Sequence, residues 1–94
     1  MSTTIYTVEF APRTEKQLEK IPKNIRDRIF DRIDKLKTNP RPENIEPLQG
    51  TNIGLFRIRH GDYRIVYNIQ DQKLLVLIVR VAHRKEVYKK KHSK

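Results

Sequence analysis

The chain of 94 residues has no cysteine and no tryptophan, only three glycines, and 11 acids against 21 lysines and arginines. Without cysteine there is no disulfide framework, no thiolate metal site and no nucleophilic thiol, which fits a reducing compartment. His60, His83 and His92 stand in no ligand spacing, and acids are scarce around them, so neither a metal centre nor a cofactor is expected. Gly-rich phosphate loops and G-x-S-x-G elbows are also missing. Met1 to Tyr6 lacks the apolar run of a signal peptide, and no segment approaches membrane-spanning length. The expectation is a cytoplasmic protein with no membrane contact, folded as one domain over residues 1–94.

What is present is a core and a charge. Eleven Ile, seven Leu and six Val, with Phe10, Phe30 and Phe56, suffice for one small domain. The formal net charge is +10 and unevenly placed. Residues 1–47 carry ten Lys/Arg against eight Asp/Glu; residues 48–94 carry eleven against three. A basic second half suits a nucleic acid or an acidic partner; the plainer reading is a solvated, solubility-promoting surface.

Leu55 to Tyr67 organises the rest. Gly61-Asp62 suits a two-residue turn of the primed type. His60 then faces Tyr63, Arg59 faces Arg64 and Arg57 faces Val66. Alternation puts Phe56, Ile58, Tyr63, Ile65 and Tyr67 on one face and Arg57, Arg59 and Arg64 on the other. Like charges directly opposed, as Arg59 and Arg64 are, disfavour the pairing, which fits a site kept for an anion.

In chain order, Thr4 to Phe10 alternates as a strand, with Tyr6, Val8 and Phe10 on one side. Pro12 ends it and suits the first turn of a short helix, about Arg13 to Lys20. Pro22 starts a longer helix with an apolar stripe of Ile25, Ile29, Ile33 and Leu36. Asn39-Pro40-Arg41-Pro42 opens a loop reaching about Gly54, in which Leu48 is expected to plug the core edge. Glu43 and Glu46 are the acids nearest the basic face, and their spacing does not separate a catalytic carboxylate from a surface one. Lys73 to Ala82 is a strand apolar on both faces, reached through a turn near Asp71-Gln72. A two-residue turn there sends Leu74, Val76 and Ile78 to the core and Leu75, Leu77, Val79, Val81 and His83 to the face of Arg64. Arg84 to Tyr88 reads as a helical turn before a basic tail.

The fold class is therefore α+β, in the order β-α-α-β-β-β. It implies a mostly antiparallel four-stranded sheet, a helix pair on one face, an open basic face opposite, and a short C-terminal helical tail. Guanidiniums with Tyr63, Tyr67, Tyr88 and His83 nearby suit single-stranded RNA, phosphates being gripped and bases stacked. Such a set allows metal-free cleavage by attack of the 2′-hydroxyl on the adjacent phosphate, because preorganised arginines stabilise the developing charge. Arginine, always protonated, is a poor base; His83 or Tyr88 is then the proton carrier, unless His83 is structural.

Leu55-Phe56-Arg57-Ile58-Arg59, Gly61-Asp62-Tyr63-Arg64-Ile65-Val66-Tyr67 and Val81-Ala82-His83-Arg84-Lys85-Glu86-Val87-Tyr88 together resemble the RelE branch of the RelE/ParE toxin superfamily. Leu48-Gln49-Gly50, the opening strand and the helix pair fit the same pattern. The resemblance implies a microbial-ribonuclease-like fold and a toxin of a type II toxin–antitoxin system that cleaves mRNA in the ribosomal A site. By position, Arg57 and Arg59 match the family's basic pair, where lysines are common, and Arg64 its phosphate-gripping arginine. Arg84 matches the arginine proposed as acid or charge stabiliser, and Tyr88 the tyrosine that positions or activates the 2′-hydroxyl. The expected partners are an acidic, RelB-like antitoxin, the ribosome and mRNA, with operator DNA met only through the antitoxin.

Two other readings stand beside this one. A ParE-like inhibitor of DNA gyrase would be a binding poison without chemistry of its own, and that branch generally lacks the basic and aromatic set found here. A plain nucleic-acid-binding module would use the charge for affinity alone.

Overall fold

The computed structural model describes residues 4–48 and 54–85. Its elements are β1 (Thr7–Phe10), α1 (Pro12–Glu19), α2 (Lys23–Lys35), β2 (Glu46–Pro47), β3 (Leu55–His60), β4 (Tyr63–Gln70) and β5 (Leu75–His83). A 3₁₀ turn, Asp71–Lys73, joins the last two. The strands form one five-stranded sheet in the order β1-β5-β4-β3-β2, antiparallel except where β1 runs parallel to β5.

The helix pair covers one face of this sheet. Along α2 the stripe turns Ile29, Ile33 and Leu36 fully inward, and α1 adds Leu18. They meet Ile58 of β3, Ile65, Tyr67 and Ile69 of β4, and Val76, Ile78 and Val81 of β5. Thr14 is the buried polar residue of the described core, and its hydroxyl donates to the Ala11 carbonyl at 2.6 Å. Where β1 ends, α1 shields the outer edge of β5, and Gln17 Oε1 accepts the Val81 N–H at 2.8 Å. An edge amide that the sheet leaves open is thereby satisfied.

The loop after α2 is fastened from below. Tyr67 buries its ring, and its hydroxyl donates to the Pro40 carbonyl at 2.8 Å. Arg41 grips both carboxylate oxygens of Asp71, at 3.1 and 2.8 Å, and the Tyr6 hydroxyl donates to the same carboxylate at 2.6 Å. The loop, the β4–β5 turn and the residue preceding β1 are thus held at one point.

The hairpin follows the expected register: His60 opposite Tyr63, Arg59 opposite Arg64, Arg57 opposite Val66. Gly61 takes φ +58° and Asp62 has no positive φ, the pattern of a turn with glycine first. Elsewhere the structure corrects the sequence reading. The sheet has five strands, because Glu46–Pro47 pairs with Arg57 and Phe56 inside what reads as loop. A segment of two residues containing proline carries no alternation to announce it. Leu48 lines the open face rather than the core edge; Ile45 packs against the core instead. β1 begins at Thr7 rather than Thr4, and α1 starts at Pro12.

The β4–β5 connection is the 3₁₀ turn, closed by Leu74 at φ +50°, so Leu74 is 42% exposed and leaves the core. The true register differs from the expected one by two residues, which preserves the facing of Val76 and Ile78. A bulge then intervenes: Tyr67 pairs with Ile78, but Val66 pairs with Arg80. Val79 has no opposite number, and every later side chain changes face. Val81 is buried in the core and His83 lies opposite Tyr63, both away from the face where the sequence reading puts them. Arg84 and Lys85 begin a helical turn, while the remainder of the expected helical tail, Tyr88 included, lies outside the described residues.

Candidate active site

On the sheet face opposite the helices, the strands bring charged residues into rows. Glu46, Arg57, Val66 and Arg80 are successive partners across β2, β3, β4 and β5. In the next row stand Arg59, Arg64 and Ala82. Adjacent strands lie about 4.8 Å apart, and successive same-face residues about 7 Å apart, so the arginines of both rows fall within side-chain reach of one another. Leu48, Arg57, Arg64, Val66, Arg80 and Ala82 line a common cavity of about 190 Å³. Ala82 is nearly fully buried and, with Val66, makes an apolar floor under the guanidiniums.

Charge balance within the site is uneven. Glu46 Oε1 accepts from Arg57 Nε at 2.9 Å and Nη2 at 2.7 Å, and Glu46 Oε2 lies 3.8 Å from Arg59 Nη2. The hydrogen bond from Arg57 holds the Glu46 carboxyl below its ordinary range, with the charges of Arg57, Arg59 and Arg64 adding to it. Glu46 is therefore a carboxylate at neutral pH. Among the described residues, no acid pairs with Arg64 or Arg80. Both are half-buried, and a positive group in that position favours an anion supplied from outside.

Of the residues singled out from sequence, Arg57 and Arg64 share the cavity, and Arg59 joins them through Glu46. Arg84 stands just past β5, its backbone N–H donating to the Asp62 carbonyl at 2.8 Å, so it adjoins the hairpin turn beside Arg64's end of the strand pair. His83 is not with them. Its ring meets Tyr63 edge-on at 5.1 Å, its Nδ1 accepts the Lys85 N–H at 3.1 Å, and Nε2 lies 3.9 Å from an Asp62 oxygen. An occupied Nδ1 leaves Nε2 as the nitrogen that carries the proton in the neutral ring. Tyr88 lies outside the described residues.

Two members of the constellation escape the sequence reading. Glu46 was visible as an acid near the basic face, but only its strand pairing with Arg57 sets it in the site. Arg80 interrupts an otherwise apolar strand, which is a signal of a kind; simple alternation nonetheless points it into the core, and only the bulge turns it outward. Among the described residues no group of His, Asp or Glu is arranged to hold a metal ion, and no helix is long and apolar enough to cross a membrane.

Residues 8–88 match the family model described as the ParE toxin of type II toxin–antitoxin system, parDE. Over 86 residues the chain is 33% identical to toxin RelG of Mycobacterium tuberculosis, spanning 90% of this chain and 98% of RelG. It is 26% identical over 85 residues to mRNA interferase toxin RelE of Escherichia coli, covering 88% and 90% of the two chains. In the crystal structure of the archaeal RelE–RelB complex from Pyrococcus horikoshii, one chain superposes with a TM-score of 0.76 at 28% identity, over 85% of this chain and 96% of that one. These likenesses run through the helix pair, the hairpin and β5 together, and with them the chain belongs to the RelE/ParE family of type II toxin–antitoxin toxins, as a RelE-type toxin.

Proposed function

We propose that this toxin is a metal-independent endoribonuclease that cleaves mRNA, in the ribosomal A site, and acts in the cytoplasm. The observation that carries the reading is the shared cavity of Arg57, Arg64 and Arg80, with Glu46 held ionised at its edge. An RNA phosphodiester in this cavity meets guanidiniums on an apolar floor, where hydrogen bonds to a developing dianion are strong.

In the proposed reaction the 2′-oxygen attacks the adjacent phosphorus and its proton passes to the Glu46 carboxylate. The bond from phosphorus to the 5′-oxygen breaks, leaving a 2′,3′-cyclic phosphate, and the departing 5′-oxygen takes a proton from solvent water to become a 5′-hydroxyl. Arg64 neutralises the phosphorane, with Arg57 dividing its guanidinium between Glu46 and the substrate. Arg59 holds the second Glu46 oxygen in place. Arg84, next to the hairpin turn, serves the leaving oxygen, and Tyr88 positions the 2′-hydroxyl. His83 faces the other way and is assigned no proton transfer. Few catalytic groups are needed if the ribosome orients the mRNA, since orientation supplies much of a rate enhancement.

The proposed neutralising partner is an acidic, RelB-like antitoxin. Such a chain would cover the row of arginines together with the half-buried Leu75 and Leu77 on the same face, or displace the segment from Arg84 onward. Relatives support the pairing, one being solved as a RelE–RelB complex.

Cleavage of ribosome-bound and of naked mRNA by the wild type, Arg64→Ala, Arg84→Ala and Tyr88→Phe tests the reading, with 5′ ends mapped by codon position. Codon-phased cuts that weaken at least a hundredfold in Arg64→Ala are expected. Undiminished cutting by Arg64→Ala would overturn the assignment. The family model's ParE description makes gyrase inhibition the competing reading, and a change in plasmid supercoiling without new mRNA ends would favour it.

A further inference from the structure

We propose that Arg80 is a substrate-binding residue of this toxin, gripping a backbone phosphate of the RNA next to the one that reacts. The inference rests on the nuclease reading and adds a subsite to it.

The first observation is delivery. Without the bulge at Val79, pairing would set Arg80 opposite Ile65 and drive it into the core. With the bulge it stands opposite Val66, two strands from Arg57, and lines the same cavity. Bulges re-aim side chains next to active sites, and here the side chain re-aimed is a guanidinium.

The second observation is the missing counterion. Glu46 occupies Arg57 and approaches Arg59, whereas no described acid pairs with Arg80. Arg80 is half-buried, so its charge is held in a partly desolvated place with no acid among the described residues paired to it. A planar fork of donors in that setting matches a phosphate.

Position then separates Arg64 from Arg80. Arg64 lies in the row of Arg59 and Ala82, and Arg80 in the row of Arg57 and Val66. The rows are about 7 Å apart along the strands. That offset is of the order of one nucleotide step, and it lets Arg80 reach the phosphate beside the one that Arg64 holds. A grip on a phosphate that does not react is equally strong in ground and transition states. It therefore acts on KM, while Arg64 acts on kcat.

The test has two arms. Cleavage of mRNA on programmed ribosomes is measured for the wild type, Arg80→Ala, Arg80→Lys and Arg64→Ala. Arg80→Ala should raise KM about tenfold, as expected for one charged hydrogen-bonding contact, with the loss falling on KM. Arg80→Lys should recover most of it, and Arg64→Ala should lose kcat. Binding of an RNA oligonucleotide carrying 2′-deoxy sugars, which cannot be cleaved, is measured against salt concentration. Removing one phosphate contact should make the slope of log K against log salt shallower by about 0.7.

Should Arg80→Ala fold poorly, Arg80→Met, which keeps the apolar stem, replaces it. Unchanged KM and salt slope, with Arg64→Ala still impaired, would overturn the role of Arg80 alone. No cleavage by the wild type would overturn the nuclease reading, and the salt slope would still report whether Arg80 holds phosphate.

Discussion

Arg57 directs both Nε and Nη2 at a single oxygen of Glu46, at 2.9 and 2.7 Å, leaving the second oxygen 3.8 Å from Arg59. A carboxylate so placed beside a phosphate-binding cavity rests ionised at neutral pH, the form that can accept a proton. Glu46→Gln should lower kcat by about a hundredfold or more, the usual contribution of a positioned base. It should also tighten binding of an uncleavable RNA, because a negative charge leaves the site. Full activity in Glu46→Gln would restrict this carboxylate to bracing Arg57.

His83 provides a sharp contrast with Arg64. Its ring is turned toward Tyr63 and its Nδ1 is taken by a backbone amide. His83→Gln should cleave mRNA within a few-fold of wild type, while Arg64→Ala loses about two to three orders of magnitude in rate. A loss in His83→Gln as deep as that of Arg64→Ala would return the imidazole to the reaction.

Acid stability should depend on Asp71. Its carboxyl is lowered to about 2 by hydrogen bonds from Arg41 and then Tyr6. An unfolded aspartate titrates near ~3.9. The contribution is thus complete above about pH 4 and disappears as pH falls through about 2. In urea titrations across that interval, Asp71→Asn should show a shallower loss of stability than the wild type, and be less stable at pH 7. Parallel acid limbs would mean that the Arg41 contact adds nothing to folding.

Along α2, two neighbouring side chains should behave oppositely. Ile29 is completely buried, and Ile29→Ala should cost about 2–5 kcal/mol from lost burial and the cavity left behind. Phe30 is 41% exposed and touches Phe10 edge-on at 6.0 Å, so Phe30→Ala should cost less. Chemical denaturation of both variants measures the order, and equal losses would contradict the packing described here.

Much of the architecture was legible because its signals are local. The stripe of Ile25, Ile29, Ile33 and Leu36 announces α2, and Gly61-Asp62 between alternating runs announces the hairpin with its register. The arginines of β3 and β4 follow from that register, since period two leaves their face no freedom. Glu46 was not legible as a site residue, because its place depends on pairing with a strand nine residues later in the chain. Arg80 and His83 exchanged faces for a similar reason. A bulge costs a strand little and leaves no mark in an apolar run such as Leu74 to Val79, where either face suits the residues.

By itself, then, the sequence determined the elements, the hairpin register and the presence of a basic face opposite an aliphatic one, all of them consequences of side-chain periodicity and turn chemistry. Tertiary structure alone decided which charges share the cavity. The β2 pairing brings in Glu46 and the bulge opposite Val66 brings in Arg80, because contacts between distant strands are chosen by the packing of the whole sheet.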